Sequence, residues 1–214
     1  MKIMCEVAVR HVHLSKGHVD ELFGEGYELK SCKKISQPGQ FLAEERVEIV
    51  GPKRSLCNVA IIGPTRTQTQ VEVSRTDCFW LGLKGVEVKT SGRGVNSPEI
   101  TIKVGDKSVV LNQGVIVMQR HVHLSCETAD ANGIKEGDML SLVFEGERGG
   151  RFDNAVARIG EAHADAVHID SDEGNAMGFS CSEIEVLKME KPEKVCKGEI
   201  PGVKEPKKSK KESA

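Results

Sequence analysis

Aromatic side chains are scarce in this chain of 214 residues, which has one Trp, one Tyr and six Phe. Charge of one sign is lacking as well, since 30 Lys and Arg stand against 32 Asp and Glu for a formal net charge of -2. Without stacking platforms or a basic field, no nucleic-acid partner is expected. Long hydrophobic runs are missing too. The first one, Ile3 to Val9, is interrupted by Glu6 and followed at once by Arg10 and His11, so it reads as neither a signal peptide nor a membrane span. The seven cysteines, Cys5, Cys32, Cys57, Cys78, Cys126, Cys181 and Cys196, include no C-x-x-C pair and no framework spacing, which points to reduced thiols in a cytoplasmic protein. No Walker loop and no G-x-G-x-x-G occurs, so any phosphate must be held by metals, arginine or local backbone.

What is present is a repeat. Arg-His-Val-His-Leu-Ser occurs at Arg10 to Ser15 and again at Arg120 to Ser125. In an extended strand, residues two apart project from one face, about 6 to 7 Å apart along the chain. His11 with His13, and His121 with His123, therefore form two imidazole pairs, and neutral imidazole is the commonest protein metal ligand. A lone strand histidine reads first as a hydrogen-bonded core residue; two identical pairs favour metal. The flanking pattern places Val7 and Val9 on the face of the first pair, and Val115, Val117 and Gln119 on that of the second.

The repeat extends beyond six residues. Lys16 to Phe23 reads as a short helix ended by Gly24 and Gly26, and Cys126 to Asn132 is its counterpart. Gly26 to Leu29 and Gly137 to Leu140 are matching turn-to-strand passages, so two units of about 100 residues each, related by duplication, are expected. Between the copies, strand-like runs alternate with Gly and Pro: Arg46 to Val50, Leu56 to Ile62, Gln70 to Val73 and Gly85 to Lys89. Ile100 to Val104 with Val109 to Leu111 reads as a hairpin about Gly105 and Asp106. Many short strands with few helices predict a mainly β fold built of barrels. The end of the chain, rich in Lys and Glu, reads as a disordered tail.

Four histidines can bind one metal, or each pair can recruit its own third ligand. Glu72 lies mid-strand between Val71 and Val73, where an ionised carboxylate needs a partner if buried. His168 precedes an acidic stretch, Asp170 to Glu173, suited to orienting its ring. His163 and His18 are expected at the surface. Arg66 follows the Gly63-Pro64-Thr65 turn, and its donor fork suits phosphoryl oxygens. Ser91 and Gly92 offer a hydroxyl and a flexible backbone for further anion contacts. No cysteine lies beside a motif histidine, so none is a persuasive nucleophile.

Taken together, Arg10-His-Val-His-Leu14, Gly63-Pro-Thr-Arg66, Gln70-Val-Glu-Val-Ser74-Arg-Thr-Asp77, Arg120-His-Val-His-Leu124 and His168-Ile-Asp-Ser-Asp-Glu173 closely resemble the PduL-type phosphate propanoyltransferase family. The similarity spans about residues 5 to 188, with five motifs in order. It implies interconversion of acyl-CoA plus phosphate with acyl phosphate plus CoA. It implies two zinc ions per chain, one on His11, His13 and Glu72 that takes the CoA sulfur, the other on His121, His123 and His168. Arg66 would grip phosphate as the catalytic residue, with Ser91 beside it.

The resemblance further implies two small β-barrels with the active site between them. Residues 1–10 with 119–188 would form the first, residues 11–118 the second with an inserted hairpin near 46–56, leaving 189–214 as the tail. Propionyl-CoA or acetyl-CoA is the substrate the resemblance implies, in propanediol degradation. A homo-oligomer, taken as a dimer, and kinase or microcompartment partners go with that reading. Two departures stand out. Lys89 occupies a position where the family pattern has arginine, which weakens the anion contacts expected near Ser91. Only nine residues precede Arg10, so the N-terminal extension of encapsulated members is not expected. The rival readings are a dinuclear zinc hydrolase of a thioester or phosphorylated substrate, and a non-catalytic module stapled by zinc.

Overall fold

A computed structural model describes residues 1–92 and 96–189 of the chain; the expected tail beyond Met189 lies outside them. The first half runs β1 (Lys2–Ala8), β2 (His11–His13), α1 (Lys16–Phe23), β3 (Ser31–Lys34), β4 (Phe41–Val50), β5 (Ser55–Gly63), β6 (Gln70–Val73), α2 (Arg75–Leu81), β7 (Val88–Lys89), β8 (Asn96–Val104) and β9 (Lys107–Gln113). The second runs β10 (Val115–Met118), β11 (His121–Leu124), α3 (Cys126–Ala131), β12 (Met139–Phe144), β13 (Gly150–Ile159), β14 (Ala166–Asp170), α4 (Ser171–Met177) and β15 (Cys181–Lys188). The protein is mainly β, as its short alternating runs predict. No helix among the described residues is long and apolar enough to cross a membrane.

Six strands close a barrel in the order β1-β14-β11-β13-β12-β15. Its core joins Ile3 and Cys5 of β1 to Val122, Leu140, Leu142, Ala157 and Ile169. Closure depends on β1, which pairs in parallel with β14 and antiparallel with β15 at the far end of the chain. The remaining strands form a second, nine-stranded sheet, β7-β10-β6-β2-β5-β4-β8-β9, with β3 on β4. That sheet encloses its own core around Val12, Ile49, Ile61, Ile102, Leu111 and Val115, while its ladder has two ends, β7 and β9, that do not pair with each other among the described residues. Each fully buried Leu or Ile contributes about 1.5–3 kcal/mol, and the many in these two clusters offset the polar groups buried at the site. At Gly114, which leads into β10, φ is +94° and an added Cβ would lie 2.7 Å from the Thr69 carbonyl oxygen, so only glycine fits.

The chain crosses twice between the two bodies, and both crossings precede a histidine pair. β1 belongs to the barrel and β2 to the sheet; β10 belongs to the sheet and β11 to the barrel. The expected continuous faces from Val7 to His13 and from Val115 to His123 are therefore broken, at Val9-Arg10 and Gln119-Arg120. Val9 is exposed, and all four residues of β10 are buried instead of alternating. The cause is tertiary: the pattern carries on locally while the hydrogen-bond partners change.

The repeated hexapeptide now has a physical reading at each position. Its arginine stands at the crossing. Its histidines face the seam between the bodies, and its Val and Leu (Val12, Leu14, Val122, Leu124) are fully buried in the core behind. Its serine is the N-cap of the next helix: Ser15 accepts from the His18 N–H at the start of α1, and Ser125 from the Thr128 N–H at the start of α3.

Candidate active site

The first histidine pair meets its carboxylate by strand register. β6 runs antiparallel to β2, with Glu72 directly opposite His11. Glu72 is 3% exposed, and its carboxylate oxygens stand 3.6 Å from His11 Nε2 and 3.6 Å from His13 Nε2. The Nδ1 atoms of both rings point the other way, to the Val9 carbonyl at 2.8 Å and the Ile62 carbonyl at 3.1 Å. A carbonyl only accepts, so each Nδ1 carries the proton and each Nε2 turns a bare lone pair toward the carboxylate. Burial, reinforced by His11 and Arg66, pulls the His13 pKa down to about 2. Two lone pairs and a carboxylate thus converge with no proton between them, an arrangement a cation relieves.

The second cluster repeats the geometry with a different third member. β14 runs antiparallel to β11, with His168 opposite His121. His121 Nε2 lies 3.1 Å from His123 Nε2 and 3.3 Å from His168 Nδ1. His121 donates from Nδ1 to the Gln119 carbonyl at 2.8 Å, and His168 Nε2 faces Glu6 Oε2 at 3.3 Å. The inward nitrogens of His121 and His168 are therefore both unprotonated and face each other. Burial, with His168 adding to it, lowers the His121 pKa to about 3; burial, with His121 adding, lowers that of His123 to about 2. In each group the donor atoms lie within 4.8 Å of one another, and the nitrogen-rich donor sets, two imidazoles with a carboxylate and three imidazoles, fit a divalent metal of borderline softness.

The carboxylate that orients His168 differs from the expected one. Asp170 and Glu173 form the capping box of α4, Glu173 also binds Arg120 at 2.6 Å, and Asp172 accepts from Ser74 and from the Thr76 N–H. The chain turns into α4 straight after Asp170 and carries these acids away from the ring. Glu6 takes the place beside His168, because the parallel ladder of β1 and β14 sets the two opposite each other. Ser36 holds Glu6 in turn, donating to its Oε2 at 2.7 Å.

His163 and His18 are not surface residues as expected. His163 packs against His123 with ring centroids 4.5 Å apart, and His18 Nδ1 is 2.7 Å from Thr69 Oγ1. Both are half-buried, because a tight turn after β13 folds His163 back and α1 lays His18 against the loop before β6.

Arg66 is held beside the first cluster. Its N–H donates to the Leu14 carbonyl at 2.9 Å, its Nη1 donates to Ser91 Oγ at 2.8 Å, and Ser91 in turn donates to Glu72. Burial lowers the Arg66 pKa, with Glu72 acting against it, and an arginine stays charged under such a shift. Gly92 donates from its N–H to Gln70 Oε1 at 2.8 Å, which fixes the Ser91 turn over β6.

Both clusters, Arg66 and Ser91 open into one cavity of about 530 Å³ at the seam of barrel and sheet. Among the polar lining residues that sequence reasoning did not assign to the site are Glu6, Gln37, Arg158 and His163. Gln37 is buried and spans the seam, donating to the Ala164 carbonyl at 3.0 Å. Arg158 and Glu6 carried a signal, each as a lone charge in an apolar stretch, Ala155 to Ile159 and Ile3 to Val9.

The fold and the cavity define a mainly β protein with two buried donor clusters and an arginine at a shared seam. The family profile for phosphate propanoyltransferase matches residues 4–180. The phosphate propanoyltransferase of Leptotrichia buccalis is 45% identical over 177 residues, 83% of each chain. That of Sebaldella termitidis is 44% identical over 178 residues, 83% of this chain and 84% of its own. That of Rhodopseudomonas palustris is 46% identical over 171 residues, 80% of this chain and 75% of its own. The chain belongs to the phosphate propanoyltransferase family and is a phosphate acyltransferase.

Proposed function

We propose that this protein interconverts a short-chain acyl-CoA, propionyl-CoA or acetyl-CoA, and phosphate with the acyl phosphate and CoA. The observation that carries the reading is that Arg66 opens into the same cavity as both donor clusters. His11, His13 and Glu72 would hold one zinc, and His121, His123 and His168 the other. Bound there, the two ions would supply Lewis acidity toward developing oxyanion charge and stabilise the CoA sulfur as thiolate.

The residues of the chain supply the rest. Arg66 binds and orients phosphate with its planar fork, and Ser91, between Arg66 and Glu72, is the second contact. A phosphate oxygen attacks the thioester carbonyl, the new C–O bond forms as the C–S bond breaks, and CoA departs as thiolate. The burial of the histidine nitrogens keeps them unprotonated, so they do not quench that thiolate. A cysteine acyl-enzyme is disfavoured. Burial pushes the Cys5 thiol to about 12 and the Cys78 thiol to about 11, and no described cysteine lines the cavity. Seven cysteines without pairing spacing support a cytoplasmic setting.

The test is CoA release from a series of acyl-CoA thioesters, with and without phosphate, on protein of measured metal content. Acyl phosphate formed only when phosphate is present is the expected result. Free acid formed at the same rate without phosphate would make the protein a hydrolase.

A further inference from the structure

Three arginines line the cavity, and they differ in what holds them. Arg10 is paired with Asp77, and Arg66 donates to Ser91. Arg158 has no side-chain hydrogen bond or ion pair among the described residues. It stands on β13 opposite His123 in the parallel ladder with β11. Ala155 and Ala157 of that strand turn into the barrel core, so by strand alternation Val156 and Arg158 face outward, toward the seam. The guanidinium is close enough to Arg66, His121 and His123 to lower the pKa of each.

Two guanidinium groups therefore approach one cavity from opposite bodies, Arg66 from the sheet and Arg158 from the barrel. Glu72 faces the first. Like charges converging on a partly buried space repel unless an anion lies between them. The anion must carry enough acceptor oxygens to meet two forks at once, and it must be small enough to share the cavity with a thioester. A tetrahedral phosphate dianion meets both requirements, whereas a carboxylate can serve one fork.

We propose that Arg158 is a second phosphate-binding residue, gripping from the barrel side the phosphate that Arg66 grips from the sheet side. The inference rests on the phosphate acyltransferase reading above and adds a residue to it. Arg66 is anchored and sets where the phosphate sits. Arg158 is free to follow it from nucleophile to product, and a phosphate held by both draws the two walls of the seam together. The phosphates of the CoA nucleotide share this chemistry, so the test separates them from the transferred phosphate.

Wild type, Arg158→Gln and Arg158→Lys are compared at equal metal content and equal melting temperature. Inorganic phosphate is titrated calorimetrically into each protein without thioester. The KM for phosphate is then measured with propionyl-CoA and with propionyl-pantetheine, which lacks the nucleotide phosphates. Arg158→Gln is expected to weaken phosphate binding and raise the phosphate KM roughly 10- to 100-fold with both thioesters. Arg158→Lys, which keeps the charge without the fork, recovers part of the loss. Unchanged phosphate binding in Arg158→Gln overturns the proposal, as does a kinetic defect seen with propionyl-CoA and absent with propionyl-pantetheine. If the wild type binds phosphate yet forms no acyl phosphate, the reaction assignment fails, and the calorimetric comparison still decides for or against Arg158.

Discussion

Arg10 donates from Nε to Asp77 Oδ1 at 2.8 Å, across 67 residues of chain, and Asp77 is the N3 residue of the capping box that starts α2. Arg120 makes the same bond to Glu173 at 2.6 Å, and Glu173 is the N3 residue of the capping box that starts α4. Glu72 and His168, the third members of the two clusters, lie on the strands that feed these helices. Each motif arginine thus ties a crossing of the chain to the helix that follows the strand presenting the third donor.

Arg10→Ala should therefore loosen the first cluster and leave the second alone. It removes the charged partner of Asp77 Oδ1, in a residue that is 3% exposed, leaving only the Ser74 N–H on Oδ2, and a loss of about 1–3 kcal/mol in stability is expected. Metal titration should show weaker binding at one of the two sites, and Arg120→Ala should weaken the other. Equal loss at both sites in either variant would show that the arginines serve only global stability.

Removing a donor should remove one metal. His13→Ala and His121→Ala are each expected to retain about one metal equivalent per chain where the wild type holds about two, and both should lose phosphate-dependent acyl-CoA cleavage. Stripping the wild type with a chelator should lower its melting temperature, because the facing lone pairs are then left uncompensated. A fully active, metal-free His13→Ala variant would refute the two-metal reading.

Glu6→Gln tests the orientation of His168. The variant keeps a hydrogen-bond partner at Nε2 while removing the charge. Metal affinity at the second cluster should fall about 10- to 100-fold, with the first cluster unaffected. Dissociation constants measured by chelator competition would reveal this, and no change would assign Glu6 to Ser36 alone.

Acid should destabilise the metal-free protein for a stated reason. Burial holds His13, His121 and His123 neutral, with pKa values near 2, 3 and 2 against an ordinary 6.5. Below 6.5 the unfolded chain takes up protons that the folded chain does not, so stability is lost as the pH falls from 6.5 toward 3. Melting temperatures of the metal-free protein should decline through that window. A rise on acidification would mean that the rings are protonated in the folded state.

The parts of this architecture that were legible in the sequence are those with short-range causes. A period of two puts His11 with His13 and His121 with His123 on common faces. Serine followed by a run ending in glycine marks α1 at Lys16–Phe23, the predicted range. The turns at Gly51 and Gly105 separate paired strands as expected. The hidden parts have long-range causes. Nothing near Val9 announces that the chain leaves the barrel there, because the apolar alternation continues while the partners change. Glu6 is set beside His168 only by the ladder of β1 with β14, at the other end of the chain. His163 owes its place against His123 to a turn after β13 that its neighbours in sequence do not signal.

The most direct measurement is product analysis with metal-loaded protein, propionyl-CoA and phosphate labelled with oxygen-18 at every position. Direct attack predicts CoA and propionyl phosphate that keeps every labelled oxygen, with no exchange of labelled CoA into propionyl-CoA when phosphate is left out. Propionate accumulating without phosphate, or CoA exchange in its absence, would contradict the account.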